Sequence, residues 1–398
     1  MKKMIFCAAM GILLCACADS SSSAEISQTA QQTTETQPIE TTGTTAEKTP
    51  EPVSLADYLN ALPADTYIPM LREISANCTL ICEAKNDRYA VYTYDAETGT
   101  KSEARLCDTL PQCGKNGFWV LTASTEPDAA SMRSAVTLLD TNTYSRAQII
   151  GFDMQEIQSF DLPKGFRADS FDIETETGRV TYSETVQQAD GAFVYRIALS
   201  DNALADAQII LETPLTKNEV NLNQTKLIGN RIAFSGGYLS SPSAQSKPAF
   251  GWVNVNTGSM TYEYRRDGYD YAVGFCDSGA YVFDAGYPYG TAPTGAVFRL
   301  VNGESGALRL QNAMESLRVF PSASGAYFAT VLEGTNENGA DLDRISVYDS
   351  AGGFVKSFDI NFANDGRHYV DSVFVLARTV CVQTVHAEGG GEWYHFDF

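Results

Sequence analysis

Between about Asp65 and Phe398 the chain is written in short alternating runs. "AVYTYD", "FVYRIAL", "FGWVNV", "AVFRLV" and "ISVYD" carry apolar side chains at alternate positions, then stop at an Asp, an Asn or a small turn residue. A period of two, rich in β-branched and aromatic residues, predicts strands, and the Gly/Asn/Asp breaks predict tight turns between them. Helical periodicity occurs only ahead of this region. Ser54 stands where it caps a short helix, Leu55, Tyr58, Leu59 and Leu62 share one face, and Pro63 ends it.

The hairpins recur. An apolar run, an Asp or Asn, a turn and a second run are read at Asp95, Asp140, Asp201, Asn256, Asn302 and Asp349, and a last half copy stops at Asp397. A second marker alternates with the first: a tighter turn at Lys115, Glu176, Gly229, Asp277, Ala323 and Ala377, each followed by an apolar run. In the first copy that turn is either "SAN" at Ser75 or "KND" at Lys85. Four strands every roughly forty-five to sixty residues, repeated about seven times, predict an all-β fold, a single β-propeller, with six or eight blades also compatible. Two stacked sandwiches also supply many short strands, but even spacing favours the ring. This grammar resembles that of WD-repeat and YVTN-type propellers over about Asp65 to Phe398, within a propeller domain of residues 53–398, although the Gly-His and Trp-Asp signatures of true WD repeats are absent. The last copy lacks its outer strand. The only source for one, Val53 to about Leu71, reads as partly helical, so the sequence predicts an unusual closure.

The first fifty residues read differently. "MKK", an apolar stretch too short to span a bilayer as a mature helix, and then "LCAC" from Leu14 to Cys17 resemble the signal of bacterial lipoproteins. The resemblance implies a signal peptide over 1–16, cleavage before Cys17 and diacylglycerol on its thiol; a plain secretory signal cleaved nearby is the alternative. Residues 17–52 form a Ser/Thr/Gln/Glu-rich linker with almost no large apolar side chain, which predicts a disordered tether. As a flexible coil it holds the domain roughly 30 Å from the anchor. A lipid-anchored protein on the outer side of a cell membrane follows, with a Gram-positive surface favoured by the long tether.

Charge narrows the partners. A formal net charge of −21 repels phosphate backbones, so nucleic acid is not expected. On the rim holding the longer loops, Tyr238, Tyr269, Tyr271, Tyr287 and Tyr289 offer flat amphipathic area, with Arg265, Arg266, His368 and His386 beside them. "NENGADLDR" brings Asn336, Asn338, Asp341 and Asp343 together, but not at the spacing of an EF-hand. Six cysteines follow Cys17. Cys107 and Cys113 are the pair placed to close a small disulfide loop, Cys78 and Cys82 share one face of a strand, and Cys276 and Cys381 read as core. No spacing matches a zinc site, and neither a metal nor an organic cofactor is expected. Nucleophile-elbow, phosphate-loop and dinucleotide motifs are absent, and all three histidines fall near the C-terminus. The expectation is a monomeric surface module binding a protein or an extracellular glycan. A propeller hydrolase or lyase and an envelope scaffold are the alternatives. Replacing Cys17 by Ser is expected to move the protein from the membrane fraction into the medium; a variant still held on membranes would contradict the anchor.

Overall fold

The structure, a computed structural model, describes residues 53–63, 65–124, 139–140, 144–214, 219–239, 247–264, 271–284, 296–310, 316–335, 341–362, 368–386 and 391–398. Strands are lettered A to D in chain order within each sheet. Blade 1 is Met70–Glu73, Cys78–Lys85, Arg88–Asp95 and an outer strand in two pieces, Thr100–Lys101 and Arg105–Cys107. Blade 2 is Gln112–Cys113, Gly117–Ala123, Tyr144–Gly151 and Glu156–Asp161; blade 3 is Ser170–Ile173, Val180–Gln187, Phe193–Ser200 and Gln208–Pro214. Blade 4 runs Glu219–Ile228, Arg231–Leu239, Lys247–Asn254 and Met260–Tyr264; blade 5 runs Tyr271–Cys276, Gly279–Asp284, Ala296–Val301 and Glu304–Arg309. Blade 6 is Ser316–Pro321, Tyr327–Thr335, Asp341–Asp349 and Phe354–Asn361, and blade 7 has three strands, His368–Val375, Thr379–His386 and Trp393–Asp397. Each strand pairs antiparallel with the next in its blade, as a seven-bladed β-propeller requires.

The repeated Asp or Asn has a physical cause. At the C–D turn its carboxylate or amide oxygen accepts backbone N–H groups that the reversal leaves unpaired. Asp95 Oδ1 accepts from Glu97 and Thr98, and Asp349 Oδ1 from Ala351 and Gly353; in blade 4 the cap is Asn254, accepting from Asn256 and Thr257, and not Asn256, and in blade 3 Asp206 Oδ1 accepts Asn202 N while Asp201 pairs with Arg179. Blade 2 corrects the sequence reading. Its C–D turn is at 151–155, where Asp153 Oδ1 accepts Gln155 N, and not at Asp140. Leu139–Asp140 instead pairs with Arg167–Ala168 in a separate small ladder. In blade 1 "SAN" is the A–B turn, while Asn86 and Asp87 make a two-residue B–C turn between Lys85 and Arg88. Blade 5 turns at Asn302 and Gly303, both at positive φ, the pairing a two-residue hairpin favours.

Alternation gives every blade two apolar faces. In blade 1, Leu80 and Cys82 face blade 2 and Ile81 faces blade 7; in blade 7, Val380 and Val382 face blade 6 and Cys381 faces blade 1. Among the described residues the buried side chains fall into seven clusters, each shared by two successive blades, and one of them joins the last blade to the first. Polar links run between the same neighbours. Trp119 Nε1 of blade 2 donates to Asp172 Oδ1 of blade 3 at 3.0 Å, and Leu227 N of blade 4 donates to Asp172 Oδ2 at 2.6 Å. Arg231 donates to the Gly303 carbonyl, and Arg299 Nη1 to Ser350 O at 3.1 Å.

Closure follows from the helix that the sequence predicts. No described residue adds a fourth strand to blade 7. Helix α1 (Leu55–Asn60), its N-cap Ser54 accepting Asp57 N at 3.1 Å, seats Leu59 at 1% exposure among Tyr92 and Tyr94 of blade 1 and Cys381 of blade 7. Tyr58 stacks on Tyr94 with centroids 4.1 Å apart. The Gln383 side chain of blade 7 then holds the entry segment by two bonds, accepting Ile68 N at 3.3 Å and donating to Thr66 O at 3.0 Å.

Asp172 is 2% exposed and satisfies two donors from two other blades. Asp172→Ala leaves both unpaired at about 1–3 kcal/mol each and is expected to lower the urea midpoint strongly, while Asp172→Asn keeps one acceptor and costs less. Chemical denaturation followed by circular dichroism measures the difference.

Candidate ligand-binding rim

Strand A of each blade lies nearest the axis, because contacts across the ring run between A strands and their turns. Arg72 of blade 1 meets Asp277 of blade 5 at 2.6 Å, with side-chain exposures of 11% and 19%. Lys226 of blade 4 donates to the Cys113 carbonyl of blade 2, and Arg72 lies 5.6 Å from the Phe152 ring. Asp277 and Phe152 both sit in turns of the rim formed by A–B and C–D connections, so this ion pair crosses the channel near that end. The opposite rim carries the B–C and D–A connections.

On that opposite rim the described residues assemble a surface between blades 6, 7 and 1. Tyr67 precedes strand A of blade 1, and its carbonyl accepts Ala84 N at 2.9 Å. Tyr67 is 44% exposed, and its hydroxyl lies within reach of the Asp371 charge of blade 7. Asp371 sits at a bulge between Val370 and Ser372, and Ser372 Oγ donates to its carboxylate at 2.7 Å. Arg318 of blade 6 fixes the same stretch from the other side, donating to Val370 O and to Asp371 O at 2.8 Å. Tyr369, two residues from Asp371, is 48% exposed. Burial of the hydroxyl, then the Asp371 charge, pushes the Tyr67 pKa up to about 12.

His368 opens strand A of blade 7 and His386 closes strand B; they are register partners, their ring centroids 4.3 Å apart. Phe362 lies parallel to His368 at 6.0 Å. The two histidines that the sequence assigns to this rim are thus brought together, at strand ends and not within loops. Tyr238 ends up in strand B of blade 4 and Tyr271 opens strand A of blade 5, both toward the same rim. Tyr269, Tyr287, Tyr289, Arg265 and Arg266 lie outside the described residues, as do Cys17, the linker, Asn336 and Asn338. Asp343 turns inward, 6% exposed, and its carboxylate accepts Val370 N at 3.1 Å, so it is engaged in packing blade 6 on blade 7. Tyr67, Tyr369 and Asp371 were not singled out in the sequence. Tyr67 stands where the helix gives way to the first strand, and Asp371 interrupts an apolar run; that interruption was the available signal.

The cysteines do not pair. All six described cysteines are free thiols. Cys107 lies on the outermost strand of blade 1 and Cys113 on the innermost strand of blade 2, both packed in the cluster between these blades and both free. Cys82 and Cys107 are buried between blades 1 and 2, and burial pushes the Cys107 thiol to about 12 and the Cys82 thiol well above its usual value. Such thiols stay protonated and are poor nucleophiles. Cys276 and Cys381 are core, as expected.

No family model matches the chain, and no curated protein does. Among solved structures it is similar to the acylaminoacyl peptidase of Pyrococcus horikoshii, at 11% identity and a TM-score of 0.47, over 83% of this chain and 51% of that one. It therefore spans about half the length of that protein. The β-propeller domain of the Trilobed protease from Pyrococcus furiosus matches at 10% identity and 0.46, covering 83% and 93%. The WD40 domain of Neurospora crassa Pan2 matches at 9% identity and 0.42, covering 84% and 92%. The fold itself rests on the strand pairings above.

Because the folded state holds the Tyr67 proton more tightly than an unfolded tyrosine at 10.0, this group contributes stability below pH 10 that is lost as pH rises through about 12. Burial also raises Tyr92, Tyr195, Tyr281 and Tyr394, so tyrosinate absorbance during alkaline titration should show several late-ionising tyrosines, and one fewer in Tyr67→Phe. Asp371→Asn is expected to bring Tyr67 partway down, since burial remains.

Proposed function

We propose that the chain is a binding module: a lipid-anchored, tethered propeller displayed outside a bacterial cytoplasmic membrane, holding an extracellular ligand on the rim between blades 7 and 1. The observation that carries this reading is the exposure of two tyrosines on this rim, Tyr67 and Tyr369, with the Asp371 carboxylate acting on the first. Flat rings stack on the apolar faces of sugars, and a fixed carboxylate accepts from their hydroxyls; the same groups suit a protein side chain. A polysaccharide is the ligand this chemistry fits first, and the net charge of −21 favours a neutral or basic one.

Hydrolysis is less well supported. Paired-acid chemistry needs two carboxylates free to act on one bond. Among the described acids between blades 6, 7 and 1, Asp343 accepts Val370 N and Asp371 accepts from Ser372.

The test is a glycan array probed with the soluble chain, run beside a pull-down from envelope extract. Tyr67→Ala and Tyr369→Ala are each expected to weaken the retained ligand roughly tenfold, equivalent to about 1.4 kcal/mol, with the melting temperature little changed. Undiminished binding by both variants, or cleavage of a model glycoside with no ligand retained, would overturn the reading.

A further inference from the structure

We propose that the outer edge of blade 7 is a β-augmentation site that takes its fourth strand from a partner protein, an extended segment alternating apolar and basic residues. Strand C of this blade, Trp393–Asp397, pairs with strand B, and no described strand lies on its other side. Phe398 N donates to Arg378 O and Thr384 N to Glu392 O, so the bonded positions of this antiparallel ladder are 392, 394, 396 and 398. The N–H and C=O groups of Trp393, His395 and Asp397 therefore turn outward. Lys356 of blade 6 donates to the Asp397 carbonyl at 2.7 Å. Helix α1 packs on the side toward blade 1, and no described backbone bond joins it to this strand.

Every propeller blade ends in an outer edge; blade 7 differs in ending one strand early. In blade 6 strand D covers strand C, whose Ile345, Val347 and Tyr348 are fully buried. In blade 7, Trp393, Tyr394, His395 and Phe396 are all only half-buried. Outward backbone groups beside half-covered aromatic rings are a template for an added strand. The two faces of strand C set its chemistry. Tyr394 and Phe396 lie toward blade 6, where Phe396 stacks on Phe358 at 4.5 Å. His395 and Asp397 lie on the other face, with Asp57 of α1 in electrostatic reach of His395. An added strand presents its side chains alternately to these two faces, so apolar residues meet the rings and Lys or Arg meet the acids. The net charge of −21 draws the same partner. A second copy brings the same acids, and residues 17–52 hold almost no large apolar side chain to lay on Phe396. The site is independent of the rim ligand.

The probe is a synthetic peptide of alternating lysine and valine, added to the full chain carrying Cys17→Ser. Hydrogen exchange followed by NMR should slow at the amides of Trp393, His395 and Asp397, which exchange fast without the peptide. The depsipeptide analogue, with the same side chains and no N–H donor, should bind at least roughly tenfold more weakly, as should a peptide with glutamate in place of lysine. His395→Pro removes an outward N–H, leaves the ladder to strand B intact, and should cancel the protection. Equal binding of the depsipeptide, or bound peptide with the three amides still fast, would overturn the site. Slow exchange without the peptide would overturn it too: if relieved by dilution, the occupant is a second copy, and if relieved by deleting residues 17–52, it is the linker.

Discussion

Everything in this fold depends on one constraint: each four-stranded blade is apolar on both faces and can hide neither alone. A buried Phe or Leu side chain contributes roughly 1.5–3 kcal/mol only when a neighbouring sheet covers it. Phe328 and Tyr348 of blade 6 need blade 5, and Ile345 and Val347 on the same sheet need blade 7. The demand passes round the ring until blade 7 reaches blade 1. There the chain lacks a fourth strand, and the gap is met by α1, by Leu59 and by two side-chain bonds from Gln383 to backbone that a strand would otherwise engage.

The same constraint explains what was legible in the sequence. Strand alternation is a local signal, and so is the Asx turn, in which one side chain caps the reversal two residues on. Asp95 and Asp349 could therefore be read directly. Blade 2 misled because two candidate acids, Asp140 and Asp153, stand thirteen positions apart, and only pairing decides which one caps a hairpin. Ring closure was legible as a problem, a missing strand and a helix in its place, but not as a solution, because Gln383 and Ile68 are 315 residues apart. The axial pair of Arg72 and Asp277, 205 residues apart, was invisible for the same reason.

The rim was half legible. His368 and His386 could be assigned to a face from strand topology, yet their contact depends on register, which a single bulge at Asp371 resets. Cys107 and Cys113 stand as free thiols in the structure. Six positions of sequence are close along the chain, but the connection from one blade to the next runs from the outer edge to the axis. The ion pair crosses the A–B end of the channel, while exposed Tyr67 and Tyr369 and half-buried His368 and His386 stand toward the other end.

The central claim is that blades 7 and 1 close the ring as tightly as any other pair. Hydrogen exchange on the soluble chain measures this most directly. Closure predicts that amides of Val380–Gln383 and Leu80–Cys82 are protected as strongly as those of Ile232–Ser235 in blade 4, all opening together in the global transition. Early exchange confined to blades 7 and 1, with the middle blades still protected, would contradict it.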